Sequence, residues 1–166
     1  MPASRVANSD TFQCTTPSDR EIRLTRLFDA PRHLVFEALT KPQHIRRWWG
    51  ALTDKHGVSV CEMDARPGGA WRFVGYGPEG DYPAFYGVVR EIVPPERIVF
   101  TETFEPFPDA PSLVTTVLTE ENGKTRMTVT AEYPSLEVRD MVIKTGMADG
   151  AAKSYDRLEE VAQELR

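Results

Sequence analysis

The first regular pattern in the sequence is an alternation of apolar and polar residues over residues 20–28. Ile22, Leu24 and the aliphatic stem of Arg26 fall on one side, and this period of two predicts a strand. The next stretch, "DAPRHLVFEALT", has apolar residues at helical spacing and a proline suited to a first helical turn. A second short helix, "PQHIRRWW", is predicted to begin at Pro42, because a proline ring cannot continue the helix before it.

Six short strands are predicted in the middle of the chain. Turn signals separate them, among them Pro94-Pro95 and Asn122-Gly123, and the latter is a strong hairpin signal. Strands joined by short turns favour an antiparallel meander with one apolar face. The six segments are "GVSVCEMDA", "AWRFVGY", "AFYGVVREIV", "RIVFTETF", "LVTTVLTEE" and "KTRMTVTAEY".

The C-terminal segment predicts one long helix, with Ser135 as its cap. It is the only predicted element long enough to cover the apolar face of the meander. Its apolar stripe is bulky at both ends and thin over residues 146–152, where Gly and Ala dominate, so we expect a gap between helix and curved sheet. The stripe consists of Val138, Met141, Val142, Thr145, Ala148, Ala152, Tyr155, Leu158, Glu159, Ala162 and Leu165.

The composition is that of one ordinary globular domain. The 166 residues carry a net charge of -5, which does not indicate attraction to nucleic acid or to an anionic membrane surface. We expect a cytoplasmic protein, because no apolar run could span a bilayer and no signal peptide is recognisable. Residues 1–18 are polar and without periodicity, which predicts a flexible leader followed by one domain over residues 19–166.

Neither a metal site nor a cofactor is expected from the sequence. Cys14 and Cys61 have no metal-ligand spacing with each other or with His33, His44 and His56. Cys61 lies in a strand-like run and is predicted to be a buried thiol. The motifs of zinc peptidases, serine hydrolases and nucleotide-binding loops are absent from the sequence.

Four stretches of the sequence resemble the activator of Hsp90 ATPase homologue 1-like family. They are "FDAPRHLVFEALTKPQHIRRWWG", "EMDARPGGAWRF", "GVVREIVPPERIVFTETF" and "GMADGAAKSYDRLEE", and the resemblance extends over about residues 20–165. The family lies in the START/Bet v1-like superfamily, also called SRPBCC. Within it, the sequence is similar to the bacterial branch grouped with the calicheamicin self-resistance protein.

The resemblance implies an α+β helix-grip fold with an internal cavity. In that fold a strand, two short helices and a six-stranded antiparallel meander are followed by a long C-terminal helix over the curved sheet. The superfamily uses the cavity for lipids, hormones, polyketides and other apolar ligands. The same fold also hosts cyclases and co-chaperone domains, so the function must be argued from the site.

The candidate binding residues are those expected to face the thin part of the last helix. Each is also an ordinary core residue in the alternative interpretation, and the binding hypothesis needs only that the set lines an unfilled space. The candidates are Trp49, Trp71, Phe73, Phe85, Phe100, Glu102, Thr116, Met141, Thr145, Ala148 and Tyr155.

Glu102 is the charged candidate. If Phe100 and Phe104 face inward from their strand, so does Glu102, and a carboxyl group in an apolar cavity has a raised pKa. Such a group acts as an acid, a base or a hydrogen-bond anchor. In the alternative, a bulge or an early strand end leaves Glu102 in water at the rim.

Three functions follow from these observations as hypotheses. The first is the binding of a small hydrophobic or amphipathic ligand between the last helix and the sheet. The second is an enzyme of the cyclase, dehydratase or hydrolase type that uses Glu102 as its acid or base. The third is a co-chaperone of an Hsp90 homologue, although the extra N-terminal domain of the eukaryotic co-chaperones is not recognisable. The oligomeric state is open, with a homodimer as one alternative.

Overall fold

A computed structural model describes residues 11–50 and 53–166 and has an α+β architecture. In chain order the elements are β1 (Phe12–Thr15), β2 (Glu21–Phe28), α1 (Arg32–Thr40), α2 (Pro42–Trp48), β3 (Gly57–Met63), β4 (Ala70–Gly77), β5 (Gly80–Asp81), β6 (Phe85–Val93), β7 (Arg97–Phe104), β8 (Ser112–Glu121), β9 (Lys124–Glu132), α3 (Leu136–Lys144) and α4 (Met147–Glu164). No helix in these described ranges is long and apolar enough to cross a membrane.

The described strands form one antiparallel sheet in the order β1-β2-β9-β8-β7-β6-β4-β3, with the two-residue β5 beside β4. The predicted meander is confirmed, because β6 to β9 pair in sequence and β4 continues the series to β3. The strand β2 returns to pair with β9, so the first predicted strand lies beside the last one. The fold is the expected helix-grip fold.

The alternation predicted for β2 appears in its burial pattern. Ile22, Leu24, Arg26 and Phe28 are buried, and the residues between them are partly exposed. The buried side faces the helices because successive side chains of a strand point to opposite faces of a sheet. Arg26 pairs there with two carboxylates of α4, at 2.6 Å from Asp156 and 3.4 Å from Glu159.

Part of the predicted leader is a strand. Residues 1–10 lie outside the described residues, but Phe12–Thr15 forms β1 and pairs with β2. The prediction of an irregular segment is wrong here, because Phe12 and Cys14 alternate with polar residues and are both buried. Two apolar residues are too short a pattern to stand out within a polar stretch. The division into a leader and a domain stays a prediction.

The C-terminal helix is divided in two, which corrects the prediction of one long helix. Ser135 caps α3 as expected, accepting a hydrogen bond from the backbone N–H of Val138. Gly146 then has φ +80°, a left-handed conformation that ends the first helix, and α4 begins at Met147. The helix α4 can therefore run in a different direction from α3.

The apolar core has two parts. The larger part joins α1, α2 and the C-terminal half of α4 to the sheet, and Cys61 is buried in it as predicted. The smaller part joins α3, the N-terminal half of α4 and the β1-β2 edge. Phe100, Val129 and Tyr155 contact both parts. The space between the two parts is where the candidate site lies.

Candidate functional site

A cavity of about 460 Å³ lies between α4 and the concave face of the sheet. The helical side is thin, since α4 contributes Met147, Gly150, Ala151, Ser154 and Tyr155. The opposite wall is formed by side chains from β2, β4 and β6 to β9, and α2 and β3 complete one end. Small residues on the helix leave the space that larger ones would fill.

Aromatic rings form one wall of the cavity. The ring of Trp49 contacts Phe73 and Phe85 with centroid distances of 5.3 and 5.7 Å. Trp71 contacts Phe73 at 4.9 Å and Phe100 at 5.4 Å, the latter edge to face. Edge-to-face and tilted contacts fix the rings against one another. The aromatic wall is therefore preorganised, and its rings do not fill the cavity.

The position of Trp71 depends on Gly87 in the neighbouring strand. The indole Nε1 of Trp71 donates a hydrogen bond of 2.9 Å to the carbonyl oxygen of Thr101. A Cβ atom on Gly87 would come within 1.8 Å of that oxygen and 2.8 Å of the indole nitrogen. Glycine at this position is therefore required for the close approach that sets the aromatic wall.

Glu102 faces the cavity from β7, on the same side of the strand as Ile98 and Phe100. Within the described ranges, no side chain forms a hydrogen bond or an ion pair with its carboxyl group. Burial raises the pKa of Glu102 from its ordinary 4.5 to about 7. At neutral pH this group therefore exists in both the protonated and the ionised form.

Two tyrosine hydroxyls belong to the same region of the cavity. Tyr155 projects from α4, with the rings of Phe12 and Phe28 at 6.1 and 6.2 Å, and Tyr133 follows β9. Burial raises the pKa of both hydroxyls, and the nearby charge of Glu102 raises it further. Both groups consequently remain protonated and keep a hydrogen-bond donor at physiological pH.

The remainder of the lining is mainly apolar. Thr116 and Ser154 add buried hydroxyl groups, and neither forms a side-chain hydrogen bond with any described residue. Glu102 is the single charged side chain among the described lining residues, which include no Lys, Arg, His or Asp. The exposed residues Tyr76, Tyr82 and Pro83 lie where the cavity meets solvent.

Comparison with known proteins connects this architecture to a family. A sequence model described as Activator of Hsp90 ATPase homolog 1-like protein matches residues 29–163. The chain belongs to this family. The expected family is thereby confirmed, and its fold is generally a ligand-binding fold. No curated protein matches the sequence.

Solved structures share the fold of this chain. A protein from Rhodobacter sphaeroides is 27% identical with a TM-score of 0.83, and the match covers 93% of this chain and 99% of that chain. Ms6760 from Mycobacterium smegmatis is 25% identical with a TM-score of 0.76, covering 89% and 94%. CalU16 from Micromonospora echinospora is 21% identical with a TM-score of 0.57, covering 92% and 83%, and shows likeness of fold alone.

Most of the residues predicted as candidates lie on the cavity wall. This is a statement of position, and their role in binding stays a prediction. Glu102 is half-buried on the wall, so the choice between an inward carboxyl group and one at the rim stays a prediction. The candidates on the wall are Trp49, Trp71, Phe73, Phe85, Phe100, Glu102, Thr116 and Tyr155.

Three predicted candidates do not line the cavity. Met141 is 46% exposed and Thr145 is exposed at the end of α3. Their predicted position on the cavity wall is wrong because the prediction required one continuous helix. The helix breaks at Gly146, so the apolar stripe changes direction there. Ala148 is buried but packs in the smaller core cluster instead of facing the cavity.

Tyr133 and Ser154 are polar members of the lining that were not among the predicted candidates. A signal existed for Tyr133, since alternation in β9 places it on the face of Met127, Val129 and Ala131. For Ser154, the thin middle of the helix predicted only a small side chain and not a polar one. In the described part of the chain, no group of three or more His, Cys, Asp or Glu residues is placed to hold a metal ion.

Proposed function

We propose that this protein binds a small, mostly apolar molecule in the cavity between α4 and the sheet. The observation that carries the proposal is the cavity itself, with about 460 Å³ of space behind the Gly- and Ala-rich half of α4. Ligand pockets typically occupy about 300–1,000 Å³ and combine apolar walls with few polar groups. Both properties fit this cavity.

Burial of apolar ligand surface would drive binding. Each 100 Å² of apolar surface removed from water contributes roughly 2.5 kcal/mol before the entropic cost of association. The aromatic wall supplies rigid contact area, because its rings already hold one another in place. Glu102 and the hydroxyls of Tyr133 and Tyr155 would orient the polar part of the ligand.

The proposal is tested with N-phenyl-1-naphthylamine, a neutral probe whose fluorescence rises in apolar surroundings. We expect binding to the wild type with quenching of Trp49 and Trp71, which line the cavity. Ala151→Leu should weaken binding at least tenfold, because the added atoms enter the cavity. Ala70→Leu makes the same change at an exposed position and serves as the control. Equal binding by all three proteins would contradict a cavity site.

A second candidate function is acid-base catalysis by Glu102. The observation that favours it is the raised pKa of this unpaired carboxyl group beside two hydroxyl donors. A titration of the Glu102 side-chain carbon by NMR should give a midpoint near pH 7. A midpoint at the ordinary value for a glutamate would remove the single candidate base among the described lining residues. The co-chaperone function, a homodimer and a cytoplasmic location stay predictions from the sequence.

A further inference from the structure

Among the described residues, the cavity lining has acceptors for a cation but supplies no cation of its own. Glu102 is the single charged side chain among the described residues that line the space. Arg26 of β2 is a buried cation separated from β7 by the strands β9 and β8, and it is already paired with Asp156 and Glu159. A carboxylate in an apolar space is unfavourable until it receives a counter-ion.

The groups around Glu102 are also suited to a cationic ligand. Tyr133 and Tyr155 line the cavity, and no described residue forms a side-chain hydrogen bond with either hydroxyl. Their oxygens accept hydrogen bonds, as does a carboxylate, whereas an ammonium group carries up to three donors and no acceptor. Aromatic faces next to such a group add a favourable interaction with positive charge.

We propose that the cavity takes an apolar molecule carrying a protonated amine, with Glu102 as its counter-ion. This inference rests on the proposed function and names the ligand class for the same site. The tyrosine oxygens accept the remaining N–H groups, and the aromatic wall holds the apolar part. A ligand carboxylate is disfavoured, because it would meet Glu102 without a cation between them. An uncharged alcohol fits the space but leaves the ionised carboxylate without a counter-ion.

The charge state of the site makes the preference dependent on pH. Burial raises the pKa of Glu102 to about 7, so the carboxylate form is scarce at pH 5 and predominant at pH 8. The neighbouring titratable groups are Cys14 from β1, Tyr133 after β9 and Tyr155 from α4. Burial raises the pKa of each of them, and they stay protonated over this range. Glu102 is therefore the group here whose charge changes.

The experiment compares three ligands of one shape by calorimetry: 2-(1-naphthyl)ethylamine, 2-(1-naphthyl)ethanol and 1-naphthylacetate. At pH 8 we expect the amine to bind at least tenfold more tightly than the alcohol and the carboxylate to bind most weakly. From pH 8 to pH 5 the affinity for the amine should fall by about 10- to 100-fold, while the affinity for the alcohol stays within about threefold. This comparison needs only the wild-type protein.

Matched variants assign the effect to one residue. Glu102→Gln keeps the shape of the side chain and should abolish the preference for the amine. Glu62→Gln makes the same change at an exposed position of β3 and should keep it.

The outcomes separate this inference from the proposed function. If the alcohol or the carboxylate binds as tightly as the amine, the inference is wrong and the proposed function stands. If the amine preference survives in Glu102→Gln or is unchanged at pH 5, the inference is likewise wrong. If none of the three ligands binds, both the inference and the proposed function are contradicted.

Discussion

The two halves of α4 pack against different surroundings. In the C-terminal half, Leu158, Val161 and Ala162 are fully buried in the cluster that contains α1 and α2. In the N-terminal half, Gly150 and Ala151 face the cavity. One helix thus combines a close-packed segment with a segment that borders empty space.

Polar contacts reinforce the packed half. Asp156 and Glu159 pair with the buried Arg26, and the carboxylate of Glu159 also accepts a hydrogen bond of 2.7 Å from the backbone of Asp29. The side chain of Gln163 donates to the carbonyl oxygen of the same Asp29. Because the helix is anchored at this end, its other end can span the cavity without filling it. The cavity and the close packing that stabilises the helix thus belong to different halves of α4.

Truncation of large side chains should show the largest difference between the halves. Leu158→Ala removes fully buried atoms from the packed half and is expected to cost roughly 3–4 kcal/mol of unfolding free energy. Met147→Ala acts in the half beside the cavity, where space is already present, and should cost about 1 kcal/mol. Urea unfolding measures both. Equal costs would mean that the two halves are packed alike.

Glu102 should make the protein less stable as the pH rises. Its pKa is raised by burial from 4.5 to about 7, so the folded state holds the proton more tightly than the unfolded state does. The stability from this group is fully present below about pH 4.5 and is lost as the pH rises through about 7, by roughly 3 kcal/mol in total. Urea unfolding at pH 4.5 and pH 8 measures the loss.

The matched variants isolate this contribution. Glu102→Gln should lose this part of the pH dependence, whereas Glu62→Gln, an exposed control, should keep it. A pH dependence that is identical in wild type and Glu102→Gln would show that the carboxyl group is hydrated.

Enlargement of alanine should have opposite effects in the two halves. Ala162→Leu overfills a fully buried position and is expected to cost about 1–3 kcal/mol. Ala151→Leu places the same atoms in the cavity and should raise stability by about 1 kcal/mol through apolar burial. Thermal and urea unfolding give the sign of each change. A large loss of stability in Ala151→Leu would mean that the space is not available.

The two glycines at the start of α4 should give the smallest effects. Gly146 has φ +80°, so Gly146→Ala is strained by roughly 1–2 kcal/mol. Gly150 lies within the helix and beside the cavity, so Gly150→Ala should gain up to about 1 kcal/mol in helix propensity. Urea unfolding of both variants checks the difference. If Gly146→Ala is as stable as the wild type, the result would argue against the left-handed junction between α3 and α4.

The sequence by itself determined the meander of the sheet, the side on which its strands are apolar, and the thinness of the last helix. These are local properties, because a period of two fixes which residues share a strand face and small residues are visible in any context. Alternation from Phe100 to Glu102 indicated an inward carboxyl group but left open a bulge or an early strand end that would place it in water. The family was identified from motifs spread over about residues 20–165, and the family model matches residues 29–163.

The tertiary structure decided what lies opposite each face. The burial of Phe12 in β1, the exposure of Met141 and the approach of Tyr133 to Glu102 each depend on segments far apart in the sequence. The pattern of apolar side chains specifies which face of a strand or helix points inward. It does not specify the distance to the opposite side of the cavity, because that distance is set by the packing of all the other elements. The break at Gly146 had a local signal, yet only the packing of α4 on α1 and α2 fixed where the second helix runs.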